Sequence, residues 1–153
     1  SNLLSISTNS TEGGFYQNAF GGPTSTLINP ALYSAFPSLV YDSWVTIGLS
    51  DQTDNAMGHI GIDWTDFENG GDISNSNGTW FVTPDDDQGN ESGGRVLLGR
   101  FTIDGGDLVG SISLQGRDSS GTVWNADGVT WVPAPGALAL LGIAGLAVRR
   151  RRK

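Results

Sequence analysis

Residues 104–116 read "DGGDLVGSISLQG", and this stretch decides the fold class. Asp104, Gly105, Gly106 and Asp107 form a strong turn signal, because glycine reaches the backbone angles of tight turns and aspartate caps its own backbone. Beyond the turn the side chains alternate, with Leu108, Gly110, Ile112 and Leu114 set against Val109, Ser111, Ser113 and Gln115. Successive side chains of a strand point to opposite faces, so the pattern predicts a half-buried β-strand with the leucines and Ile112 on the core side.

The same period extends in both directions. Upstream, "RVLLGRFTI" (95–103) places Leu97, Phe101 and Ile103 on one face and Arg100 and Thr102 on the other. "SWVTIGLS" (43–50) sets Trp44, Thr46 and Gly48 against Val45, Ile47 and Leu49. "GHIGIDW" (58–64) sets His59, Gly61 and Asp63 against Ile60, Ile62 and Trp64, and "GTWFVTP" (78–84) is a short apolar run stopped by Pro84. Downstream, "RDSSG" (117–121) turns into "TVWNA", and Asp127-Gly128 turns again into "VTWV". Sequential strands joined by short turns are antiparallel, and one-sided alternation buries one face of each sheet. The expectation is an all-β protein of six or seven strands, an antiparallel β-sandwich of jelly-roll type, with a closed barrel as the alternative. The first forty residues read as loops with one or two strands, and "LINPALYSAFP" (27–37) as a helical turn between prolines.

Composition agrees with short strands and tight turns: 23 of 153 residues are glycine, and helix formers are scarce before the last stretch. All sixteen acidic residues precede Pro133, where only Arg95, Arg100 and Arg117 offset them. A body this acidic repels nucleic acid and anionic membrane, so no nucleic-acid partner is expected. Cysteine is absent, which leaves the redox compartment open. The sequence starts at Ser1, which suggests a removed leader or a fragment.

The side-chain inventory excludes several chemistries. Without cysteine, and with no lysine before Lys153, the body holds no Cys–His nucleophile pair and no Schiff-base lysine. No G-x-S-x-G elbow is present, and His59, the one histidine, reads as a polar strand-face residue. One histidine without cysteine does not assemble a common zinc set. Carboxylates are plentiful. "TPDDDQGNE" (83–91) makes Asp85, Asp86 and Asp87 the candidate Ca²⁺ ligands, although the EF-hand spacing is missing and aspartate-rich turns are mostly caps. Otherwise no cofactor is expected. A glycoside hydrolase would need two converging carboxylates, which spacing in sequence does not reveal. The five tryptophans, Trp44, Trp64, Trp80, Trp124 and Trp131, read mainly as core. One or two exposed indoles would offer a stacking platform for sugar, as in a carbohydrate-binding module.

The final stretch, "WVPAPGALALLGIAGLAVRRRRK" (131–153), differs from everything before it. Trp131 closes the last strand, which divides the chain into a body (1–131) and a tail (132–153). Gly136 to Val148 is thirteen residues without a polar side chain. It comprises Gly136, Ala137, Leu138, Ala139 and Leu140, then Leu141, Gly142, Ile143 and Ala144, then Gly145, Leu146, Ala147 and Val148. As a helix it would rise roughly 20 Å, short of a hydrocarbon core of about 30 Å, which suits a temporary anchor. Arg149, Arg150, Arg151, Arg152 and Lys153 would hold its end on the cytoplasmic side.

The motif Val132-Pro133-Ala134-Pro135-Gly136, followed by the apolar run and the basic cluster, resembles the PEP-CTERM sorting signal of exported bacterial proteins. Ala134 stands where that family most often has glutamate. The resemblance implies export, transient insertion in the inner membrane, and recognition by an exosortase, a membrane cysteine transpeptidase. It further implies cleavage near Pro133–Pro135 and delivery to the cell surface or the extracellular polysaccharide matrix. The body, with "FPSLVYDSWVTIG" and "WFVTPDDDQG", looks similar to uncharacterised ectodomains bearing this tail, and no activity comes with that likeness. The expected role is structural or adhesive rather than enzymatic.

Overall fold

The computed structural model describes residues 4–9 and 13–131. The expected sorting motif, apolar helix and basic cluster lie outside the described residues. Eight strands occur among those described: β1 (Leu4–Thr8), β2 (Trp44–Val45), β3 (Gly58–Ile60), β4 (Ile73–Asn75), β5 (Thr79–Phe81), β6 (Gly99–Arg100), β7 (Leu108–Arg117) and β8 (Val123–Thr130). Among the described residues the one α-helical turn is α1 (Thr65–Glu68), with four short 3-10 turns beside it. The protein is all-β, and its sheets are antiparallel.

The largest sheet has the order β4-β1-β7-β8, while β2 pairs with β6 and β3 with β5. This corrects the expectation of mostly sequential pairing, because β7–β8 is the sole hairpin of consecutive strands in that order. The face assignment of β7 holds. Ile112 is buried and Leu108 and Leu114 pack against the core, while Val109 and Gln115 face solvent. Across the sheet Ile73, Ile6 and Gly110 share one register line. Gly110 has φ +116°, and a Cβ there would stand 2.0 Å from the Ser5 carbonyl oxygen, so β1 and β7 approach as they do only because the position is glycine.

The main core draws on all three sheets: Ile6, Ile73 and Ile112 from the large one, Val45 from β2 and Trp80 from β5. Phe15, Met57, Trp64 and Phe67 complete it. Phe67 meets Phe15 edge-on with ring centroids 5.5 Å apart, and Phe101 and Trp131 close the rim at 5.9 Å from one another. Residues 42–46 are buried on both sides of β2. Val45 enters the main core, while Trp44 lies outside that cluster, opposite Arg100. The alternation of "SWVTIGLS" therefore separates two covered faces instead of core from solvent.

Two further expectations are corrected. "RVLLGRFTI" forms strand only at Gly99–Arg100, with an isolated bridge from Ile103 to Phe15, and Leu97 is exposed. The irregular segment around Phe15 and Tyr16 occupies the place of a partner strand, with the Tyr16 N–H donating to the Thr102 carbonyl. Asp127-Gly128 does not end a strand. It forms a bulge within β8, where the pairing slips between Ile112 and Leu114, and Gly128 takes φ +65°. Turns and glycine bulges ask for the same positive φ, so the dipeptide signals both.

Beyond the core the β7–β8 hairpin carries Trp124 opposite Gly116. A Cβ at Gly116 would approach the Trp124 ring to 2.5 Å, so the indole lies against the glycine backbone. Gly116→Ala is expected to lift that ring into solvent at a stability change of about 1 kcal/mol or less, since an exposed side chain can move away. With 5-fluorotryptophan labelling, one of the five indole signals should shift. Unchanged spectra would contradict the contact.

Candidate functional site

The segment from Ser25 to Tyr41 contains three 3-10 turns, Ser25–Leu27, Pro30–Leu32 and Pro37–Tyr41. Pro30 and Pro37 occupy first-turn positions, where their fixed φ suits the turn and the missing N–H costs nothing, and Asn29 caps the second turn through the Ala31 N–H at 3.0 Å. These turns fold the chain so that Phe36 stacks on Phe20, with centroids 3.8 Å apart and an interplanar angle of 23°. Phe20 is 48 % exposed.

A polar line borders this pair. Asn18 Nδ2 donates to the Ser38 hydroxyl at 3.0 Å and to the Tyr16 hydroxyl at 3.3 Å. Asn18 Oδ1 accepts the Phe20 N–H at 3.0 Å. One amide thus fixes two hydroxyls and the backbone of Phe20.

The loop bearing Asn18 and Phe20 is pinned from below by Asp42, which is completely buried. Its carboxylate accepts the Asn18 N–H at 2.7 Å on Oδ1 and the Gly22 N–H at 3.1 Å on Oδ2. A Cβ on Gly21 would lie 1.8 Å from Oδ2, so the loop closes on the carboxylate only with glycine there. Burial pushes the Asp42 carboxyl above its ordinary value, against the opposing pull of the Asn18, Gly22 and Ser43 backbone groups and the Arg100 charge. Arg100 itself lies over the Trp44 ring at 5.2 Å and donates to the Val40 carbonyl, tying β6 to the last 3-10 turn.

Elsewhere a cleft of about 490 Å³ is lined by Gly48, Leu49, Asp87, Gln88, Asn90, Ser92, Arg95, Val96 and Leu97. The Gln88 amide on its floor is fully engaged, donating to the Ile47 carbonyl at 2.7 Å and to Asn55 Oδ1 at 2.8 Å while accepting the Ala56 N–H at 2.9 Å. It staples the 86–90 turn to the loop after β2.

The residues singled out in sequence fall as follows. Trp44, Trp64 and Trp80 are buried, Trp131 is half-buried, and Trp124 is 45 % exposed. His59 accepts the Trp64 Nε1–H at 3.3 Å and stands opposite the buried Trp80, while Ile60 is 66 % exposed, so this strand turns the face expected for its core toward solvent and the histidine toward the aromatic cluster. Asp86 caps the 87–89 turn through the Gln88 N–H at 2.9 Å, and Asp87 Oδ1 accepts from Asn90 Nδ2 at 2.9 Å. Among the described residues no three His, Cys, Asp or Glu side chains converge as a metal site. Sequence reasoning missed the Tyr16–Asn18–Phe20–Phe36–Ser38 cluster and its support by Asp42. The signal was available in "GGFYQNAFGGP", where aromatics sit inside a loop composition. Compared with protein-family models, curated proteins and solved structures, the chain matches none.

Proposed function

We propose that this is an exported bacterial protein without enzymatic activity, addressed by residues 132–153 to an exosortase-like membrane transpeptidase. On this reading the tail enters the inner membrane transiently and is cut near Pro133–Pro135. The body, a β-sandwich with the two small sheets across the core from the large one, remains at the cell surface or in the extracellular polysaccharide matrix as a structural or adhesive component. One observation carries the reading: a proline motif, thirteen apolar residues and five basic residues follow each other in the order that such a signal requires. An acidic body suits it, being soluble and repelled by the anionic membrane it must leave. Among the described residues no helix is long and apolar enough to cross a membrane.

The test is the mass of the mature protein. Expressed in a bacterium with a matching exosortase, the surface-located protein should lack Arg149 to Lys153 by intact-mass spectrometry. A surface protein that retains the basic cluster would remove the processing claim.

The second reading is a carbohydrate-binding body. It is favoured by exposed aromatic rings, Trp124 on the hairpin and Phe20 on the loop face. A glycoside hydrolase gains no support from the cleft, whose lining includes a single carboxylate, Asp87, where the reaction uses two.

A further inference from the structure

We propose that the face formed by Tyr16, Asn18, Phe20, Phe36 and Ser38 binds an uncharged polysaccharide, stacking one sugar ring on Phe20 and holding its oxygens with the two hydroxyls. The proposal rests on the carbohydrate-binding reading of the body and is independent of the fate of the tail.

The chemistry of the face selects the ligand. Phe20 is backed by Phe36 at 3.8 Å, so the exposed ring is held flat and loses little freedom when something covers it. A flat, pre-oriented aromatic face fits a partner that presents a row of C–H groups, as one side of a pyranose does. The neighbouring hydroxyls add direction. Tyr16 and Ser38 each accept a hydrogen bond from the Asn18 amide, which commits a lone pair and leaves the O–H available to donate outward. The ligand must therefore offer acceptor oxygens beside its apolar face, which hydroxyls and ring oxygens supply. A purely apolar peptide would bury those two donors without partners and lose affinity.

Charge narrows the class further. Tyr16, Asn18, Phe20, Phe36 and Ser38 are uncharged, and the Arg100 guanidinium is engaged with the Val40 carbonyl and the Trp44 ring. The body as a whole carries sixteen acidic residues against three arginines, a net negative charge. Anionic polysaccharides are repelled, and neutral ones are not. Asp42 anchors the loop from below without reaching the ligand, so it is a positioning residue.

The experiment is native affinity electrophoresis of the full chain in gels containing β-glucan, xylan, mannan or galactomannan, with alginate as the anionic comparison. At least one neutral polymer should retard the protein, and alginate should not. Phe20→Ala should weaken the retardation about tenfold or more, in the range of a lost stacking contact. Tyr16→Phe, which keeps the ring and removes the donor, should weaken it about fivefold. Ile60→Ala, at an exposed apolar side chain on β3, should leave it unchanged. Melting temperature and near-UV circular dichroism report folding, and Tyr16→Phe and Ser38→Ala carry the test if Phe20→Ala does not fold. Retardation abolished by Trp124→Ala alone would keep sugar binding and overturn this site. No retardation by any neutral polymer would overturn the site and the carbohydrate reading together. Concentration-dependent self-association that Phe20→Ala abolishes would assign the face to a second copy of the chain and overturn the proposal.

Discussion

Phe67→Ala is expected to lower the unfolding free energy by about 3–5 kcal/mol, as full truncation of a core aromatic does. Phe67 is 1 % exposed and stands among Phe15, Trp64 and Phe101, with centroids 5.5 to 6.4 Å away. Such pairs add about 0.5–1.5 kcal/mol beyond the area they bury. The side chain is supplied by α1, a single turn of four residues, which has too few hydrogen bonds to persist without that contact. Trp64 and Phe67 lie three residues apart and so share a face of the turn, which docks the whole 64–70 segment onto the core. Phe67→Leu should cost less, about 1–2 kcal/mol, because most of the volume is kept. Urea unfolding followed by circular dichroism measures both. A loss below about 1 kcal/mol for the alanine variant would mean that α1 is peripheral to the core.

The pair of variants also explains what was legible beforehand. Strand β7 could be read face by face because one side joins Ile6 and Ile73 of its own sheet in packing on the aromatic cluster and the other meets water. Period-2 alternation encodes that asymmetry directly. Strand β2 could not, since it is buried on both faces and its alternation carries no preference between them. Phe67 was equally hidden, because a four-residue turn has no helical period to detect. The non-sequential pairings β1–β4, β1–β7, β2–β6 and β3–β5 depend on contacts as distant in the chain as Ser5 with Ser111, and local pattern does not choose among such partners.

The aromatic face was half legible. Phenylalanine and tyrosine among Gly, Asn and Pro in "GGFYQNAFGGP" are out of place for a plain loop. What sequence does not supply is the stacking of Phe20 on Phe36, which depends on the intervening 3-10 turns. Nor does it single out Asp42 among sixteen acidic residues. Most of those are solvated or cap turns, as Asp51, Asp63 and Asp118 do through Thr53, Thr65 and Ser120. Asp42 differs in being completely buried with its oxygens turned onto a loop.

Asp42→Ala is accordingly expected to cost about 3 kcal/mol, because it leaves the Asn18 and Gly22 N–H groups without acceptors in a buried site. Asp42→Asn should cost about 1–2 kcal/mol at neutral pH, since its amide turns an N–H toward one of those donors and loses a single bond. The asparagine variant also isolates the titration. Burial raises the Asp42 pKa above its ordinary value near 3.8, so the native state binds its proton more tightly than the unfolded chain does. The stabilisation from that proton is fully present below about 3.8 and is lost as pH rises through the elevated native value. Asp51, Asp63 and Asp118 have the opposite sign, being lowered by their bonds to Thr53, Thr65 and Ser120, and lose their contribution as pH falls through those lowered values. They are common to both proteins and cancel in the comparison. Wild type should therefore gain stability over Asp42→Asn as pH falls from neutrality toward 3.8, and the gap should level off below it. Urea unfolding of both proteins between about pH 3.5 and 8 tests this through the linkage of proton binding to stability. A constant gap would show that Asp42 is ionised as easily in the folded protein as in water, and one that narrows toward acid that it is ionised more easily there; either would overturn the expectation. The loop it holds carries Asn18 and Phe20, so removing the clamp in Asp42→Ala also loosens the ring and the hydroxyls that the proposed sugar site requires.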